Sequence, residues 1–152
     1  MSTTRVRQHI NTARERVYRL LVDADAVATW LVPDGMTSHV HAFEPRPGGE
    51  IRISLTYEAP DPVGKTTAHT DTFHGRFVEV VPNERVAFTA EFETDNPAIQ
   101  GEMKMTFALA DATGGTDVEL LHEGLPDGVS AEANEAGTRM SLQKLARLAE
   151  AT

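Results

Sequence analysis

The chain has 152 residues, 40% hydrophobic and 24% charged, which suits one globular domain with a real core and argues against a disordered segment. A formal charge of −9 and a pI near 5.1 argue against a nucleic-acid or anionic-membrane surface, because phosphate groups select an excess of Lys and Arg. The absence of cysteine excludes disulfides, thiolate nucleophiles and cysteine-ligated zinc, while the lack of a signal-peptide core in Met1 to His9, or of any bilayer-length apolar run, makes a cytoplasmic protein with no membrane partner the expectation.

Arg5, Arg7 and His9 alternate with Val6, Gln8 and Ile10, the period of a half-buried first strand. Thr12 and Glu15 have the spacing of a capping box, and Val17, Tyr18, Leu20 and Leu21 form an apolar stripe, predicting a helix over 13–22. A second short helix is expected over 24–31, ended by Pro33-Asp34-Gly35. Trp30, the single tryptophan, then sits where that helix enters the sheet, and indole there serves as a core plug or as the wall of a ligand pocket.

Six stretches of alternation follow. Thr37 to Glu44 and Ile51 to Tyr57 flank the turn Arg46-Pro47-Gly48-Gly49, and a long connection, Ala59 to Asp71, with two prolines and one glycine, is expected to be mobile. Thr72 to Val81 and Arg85 to Glu93 flank Pro82-Asn83-Glu84, with Glu79 and Arg85 placed to pair across the hairpin. Met103, Met105, Phe107 and Leu109 mark a sixth strand, and Val118, Leu120 and His122 lie on one face of the seventh, after Gly114-Gly115. The apolar sets containing Phe88, Phe92, Met105, Phe107 and Leu120 should face the last element.

That element is a long helix over 130–150. Pro126-Asp127-Gly128 breaks the preceding strand, Ser130 caps the first turn, and Glu132 and Glu135 sit at the end where the helix dipole favours negative charge. Residues 100° apart place Asn134, Thr138, Ser141, Leu142, Leu145, Leu148 and Ala149 on one face, small and polar in its first half and apolar in its second. A helix laid on a packed core carries large apolar residues throughout, so the first half faces solvent or a cavity. The pattern is α+β: strand, two helices, six strands, helix, in one domain over 1–152, with a seven-stranded antiparallel sheet wrapped around the C-terminal helix.

Chemistry is sparse. His39 and His41 are two apart on one strand and point the same way, a possible start of a metal site, but no third ligand accompanies them, and no metal or cofactor is expected. There is no phosphate loop, nucleophile elbow or paired-carboxylate motif. Tyr57, His74, Arg76, His122 and Asn134 are the polar groups that a cavity would need to face inward for acid–base work.

Trp30 with Pro33, the run Phe43-Glu44-Pro45-Arg46-Pro47-Gly48-Gly49, the run from Gly75 to Arg85 and the close Ser141-Leu142-Gln143-Lys144-Leu145 are similar to the Hsp90-ATPase-activator-homologue-like branch of the START/Bet v 1-like superfamily. That resemblance spans nearly the whole chain and implies the helix-grip fold. It differs at Thr138, after Gly137, where family members often have tryptophan. It further implies binding of a small apolar or aromatic molecule between sheet and helix, as a carrier or sensor, with Trp30, Tyr57, Phe88, Phe92, Met105, Phe107, His122, Asn134, Thr138 and Ser141 expected to line the cavity. The alternatives it implies are a cavity enzyme of the cyclase, aromatase or hydratase type, and an Hsp90 co-chaperone. The latter is disfavoured because the first strand begins within a few residues of Met1. A homodimer is compatible with it.

Overall fold

The computed structural model describes residues 1–58 and 69–151. β1 (Ser2–Ile10) is followed by α1 (Arg14–Leu21) and α2 (Ala24–Trp30), then β2 (Met36–Phe43), β3 (Glu50–Tyr57), β4 (Thr70–Val81), β5 (Arg85–Phe92), β6 (Met103–Ala112), β7 (Gly115–Leu125) and α3 (Ala131–Glu150). The strands form one antiparallel sheet in the order β1-β7-β6-β5-β4-β3-β2, a meander from β2 to β7 with the first strand added at the β7 edge. The expected order of elements and the α+β helix-grip architecture are therefore present.

Register decides which side chains meet α3. Val6 pairs with Leu120, Leu120 with Phe107, Phe107 with Val86, and Phe88 with both Met105 and Phe77. Paired residues share a face, so these form the inner surface, and most are almost fully buried. Above them lie Leu142, Leu145, Ala146 and Ala149 of the second half of α3, together with Val17, Leu21 and Val27 from the two short helices. Ser130 caps α3 as expected, its Oγ accepting from the Ala133 amide at 3.1 Å. Glu79 and Arg85 pair as the hairpin spacing indicated, Nε to Oε1 at 2.6 Å.

Two expectations need correction. α1 has no capping box: its N-cap is Ala13, with no side-chain cap. Thr12 is held elsewhere, its amide on the Ile10 carbonyl and its own carbonyl accepting from Thr116 Oγ1 at 2.8 Å, so the residue closes the end of the β1–β7 ladder and the helix starts after it. The connection expected over 59–71 lies, from 59 to 68, outside the described residues, while Thr70 and Asp71 already belong to β4.

Candidate functional site

The polar half of α3 lies against the sheet as well as the apolar half does. Thr138 and Ser141 are buried there, 9% and 4% exposed. Asn134, one turn earlier, is the middle link of a relay between the sheet and the helix. Thr4 Oγ1 on β1 donates to Asn134 Oδ1 at 2.7 Å, Asn134 Nδ2 donates to His122 Nδ1 on β7 at 3.2 Å, and His122 Nε2 donates to Met103 Sδ on β6 at 3.2 Å. The direction of each bond follows from the last amide and ring: Nδ2 has only protons to give, so Nδ1 is the bare nitrogen and Nε2 carries the hydrogen.

Burial pushes the His122 imidazole down to about 4, so the ring is neutral at physiological pH. Its Nδ1 lone pair is occupied by Asn134 and its other nitrogen is a donor to a soft, weak acceptor. Such a ring is poorly placed to abstract a proton but well placed to offer an N–H to a stronger acceptor, such as a carbonyl or hydroxyl oxygen, if the flexible Met103 side chain gives way.

The predicted residues divide into three groups. Trp30 is 1% exposed, donates from Nε1 to the Leu20 carbonyl at 2.9 Å and meets Phe107 edge-on at 5.7 Å; Phe88 continues the ring cluster at 6.3 Å from Phe107. These three border an apolar cavity of about 10 Å³ together with Leu21, Ile51 and Phe77. His122 meets Asn134 of the first half of α3 instead, Met105 lies opposite His122 in the register, and Thr138 and Ser141 are buried farther along the helix. Tyr57 and Phe92 are inner-face residues toward the far end of their strands, Tyr57 opposite Met36 and Phe92 opposite Phe73.

His74 and Arg76 point outward. In the register His74 stands between Arg52 and Glu91, so its ring meets Glu91 at 3.1 Å and Glu93 at 3.0 Å on the outer face. Arg76 reaches the Gly48 carbonyl at 3.0 Å. Arg52 holds Glu93 with two bonds of 2.7 and 2.8 Å, and with His74 keeps that carboxyl at about 2. Thr4 and Met103 are the members of the relay that sequence reasoning missed. Extending the Val6, Gln8, Ile10 alternation two residues back would have placed Thr4 on the inner face.

The family model described as Activator of Hsp90 ATPase homolog 1-like protein matches residues 11–150. A crystallised protein of Chromobacterium violaceum is 33% identical, with a TM-score of 0.87 over 99% of this chain and 98% of its own. A Rhodobacter sphaeroides protein at 22% identity (TM-score 0.79, 97% of this chain and 91% of that one) and the AHSA1 protein of Silicibacter pomeroyi at 19% (0.79, 97% and 96%) share the fold. No curated protein matches.

Proposed function

Because the chain belongs to the family of Activator of Hsp90 ATPase homolog 1-like proteins, we propose that it binds a small apolar or aromatic molecule between the inner face of the sheet and α3, as a carrier or sensor. The observation that carries this reading is the neutral His122, buried in an apolar surface and kept as an Nε2–H donor by Asn134 and Thr4. A packed core has little use for a three-residue polar relay, whereas a ligand oxygen would take the hydrogen that Met103 now receives.

The described cavity beside Trp30 is about 10 Å³, against roughly 300–1,000 Å³ for sites that enclose a small molecule. Binding on this reading therefore separates part of α3 from the sheet. The first half of the helix is the part with least to lose, since the buried leucines lie in the second half and Asn134, Thr138 and Ser141 bring little apolar contact.

Native mass spectrometry of freshly purified protein, followed by extraction, tests the reading. A retained small molecule is expected, and titration of an apolar dye should change the fluorescence of Trp30, the one tryptophan. Protein that carries nothing and takes up no dye, at concentrations where the wild-type fold is intact, refutes it. His122→Phe should keep the volume and lower affinity for oxygen-bearing aromatic probes about tenfold, the worth of one good hydrogen bond, with little effect on their hydrocarbon counterparts.

A further inference from the structure

The outer face of the sheet carries an imidazole pair that the inner site does not use, and its geometry points to a binding site for copper(II) on β2, formed by His39 and His41. β2 is an edge strand. Its register against β3 slips by one residue between Val40 and Ala42, which makes His41 the extra residue of a bulge and leaves both imidazoles exposed on the outer side.

The two ring centroids are 4.5 Å apart at an interplanar angle of 66°. An imidazole nitrogen about 2.0 Å from a metal puts the ring centroid about 3.1 Å from it; two such rings at 90° then stand about 4.4 Å apart, and at the tetrahedral angle about 5.1 Å. The observed separation fits the neighbouring corners of a tetragonal centre, a geometry shared by copper(II) and nickel(II), of which copper(II) binds nitrogen ligands more tightly.

The ring of His41 also has the support that metal-bound histidines have. Its Nε2 is 2.8 Å from Ser54 Oγ, which is 2.7 Å from Thr72 Oγ1. In the tautomer that donates Nε2–H to Ser54, with Ser54 donating to Thr72, Nδ1 is bare and can ligate. His39 is exposed and packs edge-on against the His41 ring. Among the described residues no three His, Cys, Asp or Glu side chains converge as a metal cage, so the other corners of the copper fall to water or a small exogenous ligand. Structural zinc, which takes three or four protein ligands, is a poor match.

Copper(II) chloride titrated into the full chain, with glycine as a weak competing chelator, tests the assignment by calorimetry and electron paramagnetic resonance. One ion per chain is expected, with hyperfine structure from two nitrogens. His39→Asn and His41→Asn should each weaken it at least tenfold with unchanged far-UV circular dichroism, Ser54→Ala should weaken it less, and His9→Asn and His74→Asn should leave it intact. Undiminished affinity in the double variant His39→Asn/His41→Asn, which would place the ion at the amino terminus or another histidine, overturns the assignment, and so does a wild-type chain that binds no stoichiometric copper.

Discussion

Acid is expected to weaken the fold through His122 in a pH range set by that residue. The imidazole is uncharged in the native protein because burial lowers its pKa to about 4, whereas in the unfolded chain it titrates at its ordinary 6.5. Lowering the pH therefore delivers protons to the unfolded state first. The contribution is fully present above pH 6.5 and is lost as the pH falls toward 4. Two and a half pKa units correspond to about 3 kcal/mol in full, of which about 2 kcal/mol is gone at pH 5. His122 is 6% exposed, so solvent screening takes little from this figure.

Urea unfolding followed by Trp30 fluorescence at pH 7.5 and pH 5 measures it, with His122→Gln as the reference. The glutamine oxygen can accept the Asn134 amide and has no proton to gain. His9, whose pKa is raised chiefly by its hydrogen bond to Asp117, acts in the opposite sense, and His41 in the same sense, but both are unaltered in the variant and cancel in the difference. Wild type should lose about 2 kcal/mol more than His122→Gln between the two pH values. Parallel losses, within about 0.5 kcal/mol, would show that His122 reaches solvent in the native state and would remove the premise of the buried relay.

Other outcomes follow from single contacts. Thr138→Trp places an indole on the α3 face that lacks large side chains, and as a tethered occupant it should weaken uptake of an apolar dye by tenfold or more; unchanged uptake would put the binding space elsewhere. Gly75→Ala builds a methyl 1.7 Å from the Thr89 carbonyl oxygen in the neighbouring strand, so a loss of about 3 kcal/mol or more is expected, seen as a melting temperature lowered by about 10 °C. A melt at the wild-type temperature would mean that β4 and β5 part there without cost. Arg52→Met removes two hydrogen bonds to Glu93, but with the side chains 41% and 29% exposed only a small loss is expected in a denaturant titration; a loss as large as that of Gly75→Ala would mean the outer face carries more of the stability than its exposure suggests.

Much of the architecture was legible because period and punctuation agree along this chain. Strict alternation in β1, β3, β5, β6 and β7 gave the faces, and Pro33-Asp34-Gly35, Gly48-Gly49 and Pro82-Asn83-Glu84 gave the breaks; Gly48 and Asn83 do adopt positive φ, at 84° and 65°. The Thr12–Glu15 spacing misled because a local capping pattern competes with a ladder contact 104 residues away, which no window on the sequence contains. His74 and Arg76 were open to either face until the register set them opposite Arg52, Glu50 and Glu91. The inner residues were identifiable as apolar or small, but their grouping was not: Trp30, Phe88 and Phe107 gather at one cavity while His122 meets Asn134 of the helix, because sheet curvature is a property of the whole assembly rather than of any strand.

The closing of the sheet by its first strand also has a bearing on the order of folding. The strands from β2 to β7 pair in chain order, each with the next, and can do so while the chain is still emerging, whereas Ser2 meets Leu125 and Thr4 meets His122 across more than a hundred residues. Loop closure over that length is entropically costly, so this pairing is left until the meander has formed. α3, which packs on β1, comes later still in the chain. A half-made chain would therefore hold a meander whose β7 edge is unpaired and whose inner face lacks its helix, a species prone to self-association until the last residues are released. Refolding rates should accordingly respond to substitutions in β1 and α3 less than unfolding rates do, with the transition state built around β3 to β6.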